Sequence, residues 1–183
     1  AGAARSGRER AAALRRWRRA VVDDPEVLKT LVRESGKPRQ EAEAMELLYF
    51  CELCRFVCAA ARRALRSESC GSLLLAPRKT VVHRVPVGVV GVVGPWNFPI
   101  LNNAADAVAP LAAGNTVVLK PSEVTPLTSL RMEELWRRAG NPPDVFRVVA
   151  GRGDAGAALV DLVDGVMFTG AVATGRKVAA RCG

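Results

Sequence analysis

Two rhythms divide the chain. Over its first third, apolar residues recur every three or four positions, the spacing of helices laid on a core. One such helix is predicted over about 8–20, within the run "RSGRERAAALRRWRR", with Leu14 and Trp17 turned inward and the arginines outward. Pro25 opens a second, "PEVLKTLVRESG", and Gly36 stops it. A third is predicted over about 39–67. Its sequence "EAEAMELLYFCELCRFVCAAARRAL" holds no Gly or Pro, and positions 47, 50, 51, 54, 57, 58 and 61 form one apolar stripe. Gly71 to Pro77 reads as a connector. "KTVVHRVPVG" is extended, with Pro86 marking an edge or a bend.

From Gly88 the rhythm alternates between short apolar runs and amphipathic stretches. Strand "VGVVGVV" leads to helix "ILNNAADAVAPLAAG". Strand "TVVLK" leads to helix "PLTSLRMEELWRRAG", with Thr125 as its N-cap and Pro126 in its first turn. Strand "VFRVVA" leads to helix "DAGAALVDL", and strand "GVMFTG" to helix "AVATGRKVAAR". Four successive β-α units imply an α/β fold, a parallel sheet flanked by helices and preceded by an amino-terminal helical segment. The expected organisation is a helical segment over 1–75, an extended segment over 76–87 and a nucleotide-binding type of core over 88–183. In such sheets ligands collect at the carboxyl ends of the strands. Here those ends are "GPWNFP", "KPSE", "GRGDAG" and "FTGA".

Composition narrows this only a little. The chain has 183 residues, 49% hydrophobic and 25% charged, the balance of a globular protein. Its formal net charge of +9 invites a nucleic-acid reading. The excess is spread, however: 15 Lys+Arg against 10 Asp+Glu in residues 1–75, and 12 against 8 in 76–183. That is an arginine-rich composition rather than a binding patch, and no nucleic-acid partner is expected. No apolar run is long enough to span a membrane. The arginine-rich start leads into no recognisable leader cleavage site, and the expected location is the cytoplasm.

Cys51, Cys54 and Cys58 have a spacing that suggests zinc or an iron–sulfur cluster. Metal knuckles need tight turns between ligands, and a straight helix offers none. The three thiols are therefore expected to pack as small hydrophobes, with no metal site. His83, the only histidine, sits on a strand beside Arg84 and reads as structural.

The strand ends carry the candidate chemistry. In "LKPSE", Lys120 and Glu123 can hold a polyhydroxylated ligand such as a ribose, or form a surface ion pair beside a turn. "GRGDAG" fits the dinucleotide pattern G-x-G-x-x-G. No Asp or Glu follows in 171–183 to meet a ribose, so its glycines could equally serve a tight turn. "FTGA" sets Thr169 and Gly170 at a helix mouth, suited to a phosphate or to an ordinary N-cap at Thr169.

Taken in order, "GPWNFP", "AAGNTVVLKPSEVTPL", "GDAGAALV" and "FTGAVATGRKV" resemble the aldehyde dehydrogenase superfamily, most strongly over residues 80–181. Within it, the chain is most similar to NAD(P)-dependent enzymes that include succinate-semialdehyde dehydrogenases. The resemblance implies a Rossmann-like, truncated version of that fold. It implies that Asn97 is a catalytic oxyanion donor, held rigid by Trp96, Phe98 and two prolines. It places Pro95, Trp96, Lys120, Ser122, Glu123, Gly153, Gly156, Thr169, Gly170 and Ala171 at the cofactor, with Lys120 and Glu123 on the adenosine ribose. Phe98, Leu101 and Asn102 would line the substrate tunnel.

The implied cofactor is NAD, since a carboxylate at Glu123 repels a 2′-phosphate, with NADP as the alternative. Ala171 stands where a serine is usual. The implied activity is oxidation of an aldehyde to an acid. Its nucleophilic cysteine and glutamate base would lie downstream of residue 183, leaving these residues inactive alone. An acylating, coenzyme A-dependent relative and a non-catalytic dinucleotide-binding or oligomer-forming module are the alternatives. The family relation also implies a homodimer or homotetramer, with "KTVVHRVPVG" as one strand of an oligomerisation arm.

Overall fold

Helices prepare one face of a sheet before the sheet begins. The computed structural model describes residues 5–71 and 80–183. Helix α1 (Gly7–Val22) starts in a capping box: the Ser6 hydroxyl accepts from Glu9 N at 3.3 Å and the Glu9 carboxylate accepts from Ser6 N at 2.7 Å. Helix α2 (Pro25–Ser35) has Asp24 as its cap and ends at Gly36, whose φ of 70° suits a residue without Cβ.

The third helix is not the straight rod that its composition suggests. α3 (Arg39–Ala42) passes into a π-helical stretch, Glu43–Leu48, and then into α4 (Tyr49–Ala64). Of the expected stripe, Phe50 and Cys54 are buried in the core, and Leu47, Cys51, Val57, Cys58 and Ala61 are partly buried against that core. Burial also pushes the Cys54 thiol well above the usual thiol range.

Strands β1 (Glu68–Cys70) and β2 (Thr80–Val82) form an antiparallel ribbon in which every residue is exposed. The sequence gives β1 no distinct signal, because it follows directly on the helical run. Most of the expected Gly71–Pro77 connector, and positions 76–79 of the extended segment, lie outside the described residues.

The main sheet is parallel, with the order β5-β4-β3-β6. β3 (Val89–Val93) and β4 (Thr116–Lys120) are central; β5 (Phe146–Val148) and β6 (Gly165–Phe168) are the edges. Residues alternate faces along β3. Val90 and Val92 join the core shared with α1, α4, α5 (Val108–Ala113) and α6 (Pro126–Arg138). Gly91 faces the other way, where a Cβ would meet Val163 and Leu159 at 3.1 and 3.2 Å. That glycine lets α7 (Gly153–Leu162) approach the sheet closely. α8 (Val172–Cys182) packs beside α7 and β6 and buries none of its residues.

The first face is the thicker one. Trp17 is buried in contact with Phe50, Trp136 and Phe146, with ring centroids 5.0, 5.3 and 4.9 Å away. Its indole N–H donates to Met132 O at 2.9 Å, so the one polar atom of this core ring is satisfied. Two details depart from the sequence reading. The run expected as one helix over 100–114 breaks into a π-helical stretch, Ile100–Ala104, and α5, with Asn102 at non-helical φ −98°, ψ 19°. Thr125 occupies the N-cap of α6, but its side chain does not cap. Glu34 of α2 does so instead, accepting from Leu127 N and Thr128 N at 2.5 and 2.7 Å.

Candidate active site

Parallel register brings the sequence-predicted loops to one edge. Val93 pairs with both Lys120 and Phe168, and Leu119 pairs with Val148, so the four strands finish near the same level. Backbone bonds extend the sheet past those ends: Gly94 N to Lys120 O at 3.2 Å, Val149 N to Leu119 O at 2.8 Å and Thr169 N to Val93 O at 3.0 Å. The strand order places the "GPWNFP" loop between "KPSE" on one side and "FTGA" on the other.

The loop carrying Asn97 is held from beneath, and not by Trp96. Trp96 is 55% exposed, which corrects the expectation that it packs the amide into place. The buried Asn103 amide Nδ2 donates to Pro95 O at 3.0 Å and to Phe98 O at 3.2 Å, bracketing Asn97. The Thr125 hydroxyl donates to Trp96 O at 3.3 Å, tying the loop to the turn after β4. Glu46 is completely buried in the π-helical stretch, and its Oε2 accepts from Ile100 N at 2.7 Å and Leu101 N at 3.3 Å. Its Oε1 lies 2.6 Å from Lys37 Nζ, which also sits 3.5 Å above the centre of the Phe98 ring. Asn97 itself is exposed, and its side chain makes no hydrogen bond among the described residues. Phe98, Leu101 and Asn102 are half-buried behind it.

On the β4 side, Lys120 is a buried cation with little around it to compensate. Its Nζ donates to Pro121 O at 2.7 Å and stands 3.9 Å from Glu123, whose carboxylate is half exposed. Burial lowers the Lys120 pKa from its ordinary 10.5, with Glu123 and Asp154 opposing the shift. Gly156 of α7 makes room for the lysine stem: a Cβ there would lie 3.3 Å from Lys120 Cδ. Lys120, Glu123, Asp154 and Gly156 thus gather in one place. Ser122 shapes the turn, accepting from Val124 N through its hydroxyl and from Thr125 N through its carbonyl, both at 3.3 Å.

Two helix amino termini open at this edge. α7 begins at Gly153, beside which a Cβ would meet nothing within 4 Å. α8 begins after Ala171, which occupies the N-cap in place of the Thr169 that the sequence suggested. Neither N-cap side chain bonds the first turn, so those N–H groups are free to receive an anion. Thr169 and Gly170 are exposed on the approach to α8, with the Phe168 ring beneath Gly170.

No described cysteine joins this edge. Cys51, Cys54 and Cys58 lie on α4, where burial raises their thiol pKa values, Cys70 lies on β1, and Cys182 closes α8. No cluster of three His, Cys, Asp or Glu suited to a metal occurs among the described residues.

Sequence reasoning missed Lys37, Glu46 and Asn103, together with the link from Thr125 to the loop. One signal was available for Glu46, a carboxylate four residues before Phe50, which is itself four before Cys54. It therefore interrupts the buried side of an apolar stripe.

With this geometry in place, comparisons with known proteins agree. The aldehyde dehydrogenase family matches residues 3–183. A putative succinate-semialdehyde dehydrogenase (NADP+) of Mycolicibacterium smegmatis is 40% identical over 177 residues, covering 96% of this chain and 34% of that protein. The mitochondrial succinate-semialdehyde dehydrogenase of Arabidopsis thaliana is 38% identical over 179 residues, covering 94% and 33%. The crystal structure of an NAD-dependent aldehyde dehydrogenase from Sinorhizobium meliloti superposes with a TM-score of 0.90 at 36% identity, covering 98% of this chain and 36% of the other. The chain spans about a third of the length of the curated relatives it matches.

Proposed function

We propose that this chain, which belongs to the aldehyde dehydrogenase family, forms the cofactor floor and half of the oxyanion hole of an enzyme that oxidises an aldehyde to a carboxylic acid with NAD(P). The observation that carries this reading is the Asn97 loop. An exposed amide stands at a strand end while buried side chains from other elements hold the backbone around it.

A cysteine thiolate from outside these 183 residues attacks the aldehyde carbon, and the carbonyl oxygen becomes an alkoxide. The Asn97 side-chain N–H donates to that oxygen, already oriented by folding. One such donor contributes about 3–4 kcal/mol to the transition state. A bound NAD(P) would supply the hydride acceptor, and water would then release the acid from the enzyme-bound acyl group.

The residues at the edge fit a dinucleotide. Lys120 and Glu123 are placed for the adenosine ribose, with Pro95, Trp96 and Ser122 alongside. Gly153 and Gly156 shape the neighbouring turn, and Thr169, Gly170 and Ala171 lead to the α8 amino terminus for the pyrophosphate. The Glu123 carboxylate favours NAD, and NADP is the alternative that the M. smegmatis relative's name suggests. Phe98, Leu101 and Asn102 line the substrate side, where polar Asn102 suits a polar aldehyde. Succinate semialdehyde is the first to assay, from the names of the relatives. The exposed β1–β2 ribbon is read as an arm that docks on a second subunit.

The test is Asn97→Asp in a polypeptide joining this chain to the region that supplies the nucleophile. Turnover should fall about 10²–10³-fold, with a melting temperature unchanged from the parent. A variant that melts normally and turns over normally would remove Asn97 from the chemistry.

A further inference from the structure

We infer that Glu46, held by Lys37, is a positioning residue for the Asn97 amide. This rests on the reading of Asn97 as the oxyanion donor. Asn97 is followed within four residues by the two backbone N–H groups of Ile100 and Leu101, and both point at one carboxylate oxygen. The bracket made by Asn103 secures carbonyls on either side of Asn97. Glu46 secures the amides that follow. The loop is therefore gripped by its acceptors from one residue and by its donors from another.

Glu34 caps α6 with a carboxylate from a half-buried position, whereas Glu46 is completely buried. A fully buried carboxylate loses its hydration, and it is tolerated where charge-assisted hydrogen bonds satisfy it. Glu46 has three such partners: two backbone N–H groups and the Lys37 ammonium. Bonds of that kind are about twice as strong as neutral ones, and so they define position more tightly.

Lys37 adds a second hold on the same loop. Its Nζ sits over the Phe98 ring, and Phe98 is the residue directly after Asn97. One ammonium thus fixes both the anion beneath the loop and the ring beside the donor. The π-helical turn that carries Glu46 belongs to this arrangement, since such turns re-aim side chains within helices and are frequent at functional sites.

The experiment is a double-mutant cycle in the active polypeptide described above, using Glu46→Gln, Glu46→Asp and Asn97→Ala. Glu46→Gln keeps the shape and one acceptor but removes the charge. It should lower kcat about tenfold with KM within about twofold, because a donor displaced by a fraction of an ångström loses much of its effect. Glu46→Asp keeps the charge and should recover part of the loss. In the Asn97→Ala background, Glu46→Gln should cost no further kcat.

If Asn97→Ala leaves kcat intact, the oxyanion reading itself fails. If Asn97→Ala lowers kcat while Glu46→Gln does not, or if the two losses add in full, the positioning role is overturned. Should Glu46→Gln fail to fold, Lys37→Met carries the same cycle. That substitution removes the ammonium from Glu46 Oε1 and from the Phe98 ring, and leaves Oε2 its two backbone donors, Ile100 N and Leu101 N. The same non-additivity supports the proposal, and full additivity refutes it.

Discussion

The two sides of the strand-end edge are built on opposite plans. Around Asn97 the backbone is gripped by Asn103, Thr125 and Glu46, and the gripping atoms are largely buried. Around the α7 and α8 termini, the residues of both loops are largely exposed, N-cap side chains make no bonds, and α8 buries nothing. A group that must meet a developing charge gains from being fixed before the reaction starts. A surface that receives a long flexible cofactor can leave its N–H groups open until the ligand satisfies them. The contrast matches the proposed division between a residue that acts on the reacting atoms and residues that hold the nucleotide.

Two glycines test that difference most strongly. At Gly94 a Cβ would fall 2.1 Å from Asn103 Oδ1 and 2.5 Å from Asn102 O, inside the bracket that holds the Asn97 loop. Turning the Asn103 amide away would release Pro95 O and Phe98 O from its Nδ2, and Asn102 O is backbone. Gly94→Ala should cost about 3 kcal/mol of stability. At Gly153 the same methyl meets nothing, at the first residue of a helix. Gly153→Ala should be neutral or stabilising by up to about 1 kcal/mol. Thermal melts of the two variants decide the point. A Gly94→Ala protein as stable as its parent would mean that the Asn97 loop is no more constrained than its neighbour.

A smaller effect is expected at Lys120, which stands between the two regimes. Its ammonium is buried, yet its partner Glu123 is half exposed and 3.9 Å away. Burial lowers the lysine pKa in the fold. The sign follows from that direction. Above the ordinary 10.5 the amine is neutral folded and unfolded, and nothing is lost. As pH falls towards the lowered value the unfolded chain takes up a proton more readily, so the fold loses stability, and the whole loss is present below that value. Lys120→Met should therefore stabilise the chain at neutral pH. The gain should fade as pH approaches 10.5, which denaturant melts at two pH values would show. The same change should weaken NAD binding if Lys120 meets the ribose.

How much of this was legible beforehand depends on where each partner lies along the chain. The central strands of the main sheet were readable because their burial writes them as nearly continuous apolar runs, as in "TVVL". The order of the strand-end loops followed from the β-α alternation, and Trp17 from its helical spacing. Glu46 left one sequence signal, its place on the buried side of the stripe, but its role was not readable, because its partners are 54 and 55 residues away and a glutamate on an amphipathic helix ordinarily faces water. Glu34 capping α6 from 93 residues away was hidden for the same reason. The π-helical stretches carry no compositional mark, so 39–67 and 100–114 both looked like plain helices. Trp96 misled in the other direction: a large ring beside a key amide suggested packing, and it is exposed.

The finest comparison is within the open side, at Ala171. This residue holds the N-cap of α8 in an extended conformation, φ −64° and ψ 139°, with no side chain able to cap. A serine there presents one O–H donor and two lone pairs. A lone pair can accept an N–H of the first turn, while the proton remains free for a phosphate oxygen. The two roles do not compete. Ala171→Ser should therefore raise stability by about 0.5–1 kcal/mol, a melting shift of about 1–4 °C at this size. It should also tighten NAD binding up to about fivefold, the equivalent of one neutral hydrogen bond. A calorimetric titration beside a thermal melt separates the two effects. If both rise, the α8 terminus receives the pyrophosphate. If the melt rises and the affinity does not, the hydroxyl caps the helix away from the ligand, and the open side is open for some reason other than phosphate.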